Sequence, residues 1–269
     1  MPFTFSPLQI TLANSVKDVQ NDIIATQNTL SRGTADLNPG EQGVVTRLSS
    51  QAAGYTKIKA NLTVAQNIIN VGQTALGSVS DILIQMKALA TQSQSAGLVD
   101  GTDRVSLNTS FQQLSTQVSA LITNASLNGS ANNLVSGSSA LSVTVNQDGL
   151  SPMTLTAQGI TASITTASLA TGIGTSSNAG TMITNLDTLI QAISTAQANL
   201  SAYTVGVSAQ LANATGLESG LNGAVASMTS IDSTALQTKL QSLNNQQSID
   251  YYLVSQLNTA SAAILSIFR

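Results

Sequence analysis

Leu48, Ala52, Tyr55, Lys59, Leu62, Ala65, Ile69, Gly72, Leu76, Val79, Leu83, Met86 and Ala90 return in steps of three and four residues that alternate but for one repeated three at Leu62 to Ala65. All but Lys59 are small or apolar, and its neighbour Ile58 is apolar. A period of 3.5 sustained over this span specifies an α-helix that buries one seam against a partner helix. At the helical rise this element is about 65 Å long, more than the diameter of a compact domain of this mass. The fold is therefore expected to be an elongated helical one.

The rest of the chain repeats the pattern. Leu186, Ile193, Leu200, Val207, Ala214, Leu221 and Met228 stand seven apart, with Leu189, Ala196, Tyr203, Leu217 and Ala224 three residues after most of them. This predicts a second long helix. A shorter seam runs through Leu107, Phe111, Leu114, Val118, Leu121 and Ala125. Near the ends, Leu12, Val16, Val19, Ile23, Thr26 and Leu30 have the same rhythm, as do Leu253, Leu257, Ala260, Ile264 and Ile267. Amphipathic helices at both termini imply that the two ends pack together.

Turn signals separate these helices. Gly33 to Gly43, with Asn38-Pro39-Gly40, interrupts helix. Gly97 to Asp103 is a turn that folds the Leu48 helix back as an αα-hairpin, with Thr102 or Asp103 as the next cap. In the middle, Leu141 to Val145, Met153 to Thr156 and Ile160 to Ile164 alternate, and Asn146-Gln147-Asp148-Gly149 reads as a turn. A hairpin or three-stranded patch is expected within 140–166, followed by a Gly/Ser/Thr loop over 170–179. The expected class is mainly α: a long coiled-coil-like rod with paired terminal helices and a small β-hairpin patch in the middle.

Composition narrows the chemistry. The 269 residues, 27.5 kDa, contain no Cys, His or Trp; only 8% are charged and 3% aromatic. Ser, Thr, Asn and Gln supply about 42%. Disulfides, zinc fingers, thiol nucleophiles and His-ligated metals are excluded, as is a Ser-His-Asp triad. A net charge of −3 with scattered Lys and Arg argues against a nucleic-acid surface. No apolar run is long enough to span a membrane, and Met1 to Pro7 lacks the basic and apolar regions of a secretory signal. No Lys follows a Gly and no Ser lies three residues before a Lys, so neither a P-loop nor a Ser-x-x-Lys nucleophile is present. Asp100 and Asp103 read as turn and cap, Gly172-Ile173-Gly174 as loop, and Tyr251-Tyr252 as a core or inter-subunit contact. No catalytic residue, cofactor or metal site is assigned.

Several short segments, taken in order, resemble bacterial flagellins. Leu30-Ser31-Arg32-Gly33 is similar to the family's LSSG, and Asp36 to Gly43 stands where the family carries INSAKDDAAG. Arg47 to Gln51 resembles NRMTSQ, Ala65 to Gly77 resembles SLAQTAEGAL, and Met86 to Gln92 resembles RIRELAVQ. Leu127-Asn128-Gly129 is similar to FNG, and Ile264 to Arg269 to the terminal VLSLLR. The resemblance covers roughly 8–135 and 183–269, with only about fifty residues between, so it implies a short flagellin lacking large outer domains.

The resemblance implies an inner domain of paired terminal helices (1–33 with 233–269), a spoke (34–46) and an outer rod (47–232). It implies a subunit that self-polymerises into the flagellar filament used for motility, extracellular and exported without a cleaved signal peptide. Its implied partners are other copies of itself, a flagellar export chaperone, and the cap and hook-junction proteins, with no nucleic acid and no membrane insertion. The packing residues expected are Leu12, Val16, Val19, Ile23, Leu30, Leu253, Leu257, Ile264, Ile267 and Phe268. The helix the family presents to innate toll-like receptors corresponds to Gln85, Lys87 and Leu89, where Gln85, Lys87 and Ala88 replace the family's Arg, Arg and Glu, so weak recognition is expected. A hook–filament junction protein is the alternative reading, and a flagellin-related surface adhesin a further one.

Overall fold

The computed structural model describes residues 7–127, 132–137 and 140–267. In order they form α1 (Pro7–Arg32), α2 (Pro39–Ser93), α3 (Asp103–Thr123), β1 (Leu141–Val143), β2 (Met153–Leu155), α4 (Ile160–Ala167), α5 (Ser176–Thr229) and α6 (Ser233–Ile267). A short 3-10 turn, Leu169–Thr171, precedes α5. The molecule is mainly helical with one small antiparallel hairpin, as the seams and the alternating middle predict. The chain divides into two compact units, 1–49 with 221–269, and 50–220.

In the larger unit, α2 and α5 run antiparallel, as their polar pairs show. Lys59 meets Glu218 at 2.6 Å, Gln66 donates to the Ser208 hydroxyl, Gln73 to Ser201, and Lys87 meets Asp187 at 2.5 Å. Between these flanks lies the seam read from the sequence: Leu62, Ile69, Leu76, Val79, Leu83 and Met86 against Leu186, Leu189, Ile193, Leu200 and Val207, all buried. Lys59 interrupts the apolar set because its neighbour takes the seam. Ile58 is 3% exposed, while the Lys59 ammonium lies outside the seam on Glu218.

α3 returns along this pair, burying Phe111, Val118 and Ile122. Its start is fixed by buried Arg104, whose Nε donates to the Ser93 carbonyl, Nη2 to Ser95 and Nη1 to Leu98, with Nη1 also on Asp100. A guanidinium fork suits this role because several carbonyls left unpaired at the end of α2 converge on it. Thr102 occupies the N-cap position without a side-chain cap, and the Asp103 carboxylate accepts the Val99 N–H instead.

The hairpin pairs Leu141 with Leu155, Ser142 with Thr154 and Val143 with Met153. No third strand follows it among the described residues. Ile160–Ala167 is α4, with Ile160 and Ala167 buried and Ile164 packed on the same core. Residues 160, 164 and 167 fall on one helical face, and that packing outweighs the strand preference of the β-branched Ile and Thr. The loop expected over 170–179 is shorter, because α5 begins at Ser176. The Thr175 hydroxyl accepts the Asn178 N–H, and Ala179 is already buried.

In the smaller unit α1 ends at Gly33, whose φ of +67° supplies the left-handed residue of a helix C-terminus. The Gly33 to Gly43 interruption proves brief. The Asn38 side chain accepts the Glu41 N–H at 2.9 Å, and Glu41 returns a 2.9 Å acceptor to the Asn38 N–H. With Pro39 in the first turn, this reciprocal box starts α2 inside the turn-rich segment. Asp232 caps α6 by accepting the N–H groups of Thr234 and Ala235.

Several exposed threonines of the long helices share one habit. Thr63, Thr74, Thr91, Thr188 and Thr195 each donate the hydroxyl to the carbonyl four residues back in their own helix, at 2.9–3.1 Å.

Candidate assembly interface

α1 and α6 pack antiparallel. Val19 and Ile23 of α1 form a small buried cluster with Leu243 of α6, and Leu240 packs at its edge. Two polar ties accompany it: Ser15 Oγ donates to Asp250 Oδ2 at 3.0 Å, and Gln20 Nε2 to the Tyr251 hydroxyl at 2.6 Å. The α1 face turned to α6 is the one its heptad selects. Val19 and Ile23 are buried, and Leu12, Val16 and Leu30 are half-buried.

The face α6 turns toward α1 runs through Leu236, Leu240, Leu243, Gln247, Asp250, Val254, Leu257 and Ser261, again in steps of four and three. Of the expected packing residues, Leu257 lies on this face and is half-buried, while Leu253 sits beside it, 44% exposed. Phe268 lies outside the described residues, as do the side chains of Ile264 and Ile267. Asn128 and Gly129, part of the FNG-like element, also lie outside them. The sequence pattern missed the α6 face because Gln247 and Asp250 occupy two of its positions. The signal available was the clean Leu236, Leu240, Leu243 run, extended by heptads.

Much apolar surface remains open in this unit. Ile249, Tyr252 and Leu253 share a face of α6 and are exposed, as are Ile10 and Ile24 on α1. A groove of about 340 Å³ runs between Ile10, Leu12 and Ala13 on α1 and Val254 and Leu257 on α6. Among the described residues, three buried apolar side chains are a thin core for helices of 26 and 35 residues. Isolated helices gain most of their stability from tertiary packing, so this pair has apolar faces to bury and little internal reserve.

In the stretch 85–89, Gln85 is exposed, Lys87 is tied to Asp187, and Leu89 packs on the core of the larger unit. Among the described residues no group of three or more acids is placed to hold a metal, and no helix is long and apolar enough to cross a membrane. One carboxylate has a displaced titration. Glu218 is held below its ordinary range by the hydrogen bonds from Lys59 and Thr56 and by the Lys59 charge.

Residues 7–140 match the family model for the bacterial flagellin N-terminal helical region. The chain is 28% identical to flagellin FljO of Caulobacter vibrioides, over 95% of this chain and 99% of that one. It is 29% identical to FljK of the same organism, over 82% and 80%. The crystal structure of Bacillus cereus flagellin superposes with a TM-score of 0.51 at 27% identity, covering 58% of this chain and 88% of the other. These relatives are all flagellins, which favours a filament subunit over a junction protein. A structural family, near full-length agreement in extent with FljO, and paired helices at both termini lead to one conclusion: the chain belongs to the bacterial flagellins.

Proposed function

We propose that this chain, a structural subunit of the bacterial flagellar filament, polymerises through the outward faces of its paired terminal helices. The observation that carries this reading is the mismatch between a three-residue buried core and the open apolar faces around Ile249, Tyr252, Leu253, Ile10 and Ile24. Burying those faces on neighbouring copies by a heterologous, non-closing contact generates a helical polymer. Leu12, Val16, Val19, Ile23 and Leu30 hold α1 on α6. Leu253, with Ile264, Ile267 and Phe268 of the same terminal segment, serves contacts between copies.

Family likeness supports a finer layout of the chain. The inner domain comprises 1–33 with 233–269, joined by the spoke 34–46 to the outer rod 47–232. The subunit is non-enzymatic, leaves the cell without a cleaved signal peptide, and is handled by an export chaperone and the cap and junction proteins. Toll-like receptor recognition through Gln85, Lys87 and Leu89 is weak, supported by the engagement of Lys87 with Asp187. A reporter-cell assay at full flagellin potency would contradict that last point.

Electron microscopy of concentrated, seeded protein tests the central reading, with the full-length chain beside one ending at 232. Long filaments from the full-length chain alone are expected. A full-length chain that stays monomeric under seeding sinks the proposal and returns the junction-protein alternative.

A further inference from the structure

We propose that Asp250, through Ser15, sets the register of α1 against α6. The apolar seam alone does not. Leu12, Val16, Val19, Ile23 and Leu30 repeat by heptads, as do Leu236, Leu240, Leu243, Val254 and Leu257. Sliding one helix by seven residues, about 10.5 Å, returns most apolar positions to apolar positions, with Thr26 taking the place of Val19 in one direction and Gln9 that of Val16 in the other. The Gln20 to Tyr251 bond is permissive toward the slide that offers Gln27 in place of Gln20, whereas the opposite slide offers Ala13.

Asp250 discriminates where these do not. It is an acid on the packed face, 7% exposed, and its side-chain partner across the seam is the Ser15 hydroxyl at 3.0 Å. Slide α1 one heptad in one direction and position 22 replaces position 15, which brings the carboxylate of Asp22 onto that of Asp250. Slide it the other way and position 8 arrives, a leucine that offers no donor. One wrong register opposes two like charges and the other buries an acid without its hydrogen bond. Each penalty exceeds what a shifted apolar contact returns. A lone polar position that fixes alignment at a cost in stability is a known device of paired helices.

The experiment reads register directly in the full chain, which has no native Cys. The pair Ile23→Cys with Leu243→Cys reports the observed register, and Leu30→Cys with Leu243→Cys reports the slid one. With Asp250 and Asp22 intact, oxidation should link only the first pair. Asp250→Asn removes the charge. Asp22→Lys, at an exposed position, makes the slid register attractive instead of repulsive. Each should raise the yield of the second pair by about tenfold or more. If that yield stays at its starting level in both variants, the linkers at 33–38 and 230–232 fix the register and the inference is overturned. Because Asp22 is exposed and its side chain is outside the packed seam, a folding failure of the Asp250 variant leaves the second arm decisive.

Discussion

Replacing Leu243 by Ala should unpair the terminal helices while leaving the larger unit intact. Leu243 is 9% exposed and clusters, among the described residues, with two other buried ones, Val19 and Ile23. Large-to-small changes at a buried Leu cost about 2–5 kcal/mol, and a site at the rim of a thin core, able to collapse around the gap, falls near 2. That is a large share of what so small a core provides, so amides of α1 and α6 should lose protection from hydrogen exchange. Amides of α2 and α5 within 50–220 should not change, because their core includes Leu62, Leu76, Leu186 and Leu200 and does not use Leu243. If assembly requires the paired state, about 2 kcal/mol raises the critical concentration for polymerisation about thirtyfold. The control is Leu200→Ala, fully buried in the larger unit, which should destabilise that unit and spare protection in α1 and α6. An unchanged critical concentration for Leu243→Ala, or a loss of protection spread evenly over all helices, would refute the reasoning.

Acid should weaken the Lys59 to Glu218 tie in a defined sense. Glu218 is held below its ordinary 4.5 in the folded chain, so its contribution is complete above the unfolded carboxylate range and disappears as pH falls through the folded value. Urea midpoints should drop on acidification below 4.5 less steeply in Lys59→Met than in the parent chain, and parallel curves would contradict the assignment. Gly137→Ala should cost about 3 kcal/mol, read as a fall in Tm of the larger unit. The residue has φ +93°, and an added Cβ would lie 2.3 Å from the Gly159 Cα. Arg104→Met should cost about 2–4 kcal/mol in urea unfolding, because it strands the Ser93 and Leu98 carbonyls and leaves that of Ser95 only the Leu98 N–H, and Arg104→Lys should recover only part of it.

The long helices were legible because their burial repeats at one period over many turns. Leu186, Ile193, Leu200 and Val207 are buried as the heptad predicts. Where the sequence misled, two signals competed. In α4 the β-branched composition of Ile160, Thr161, Ile164, Thr165 and Thr166 resembled a strand, while burial of Ile160 and Ala167 beside Ile164 enforced helical spacing. The start of α5 was hidden by Ser176, Ser177 and Asn178, a polar first turn that composition cannot tell from a loop. On α6 the polar Gln247 and Asp250 concealed the face that meets α1. Nothing in the pattern announced Arg104 either, since its role depends on carbonyls that converge only once α2 has ended and the chain has turned.

The hydroxyls of Thr63, Thr74, Thr91, Thr188 and Thr195 spend their one donor on their own helix. Such a side chain needs no new acceptor for its proton when a neighbouring molecule replaces water, and only the lone pairs of its oxygen change partners. Covering these faces therefore strands no hydroxyl proton, and uncovering them frees none. A surface written in polar letters can pass between solvent and close contact with its donor bonds unchanged, so it gives up less to dehydration than its formula suggests.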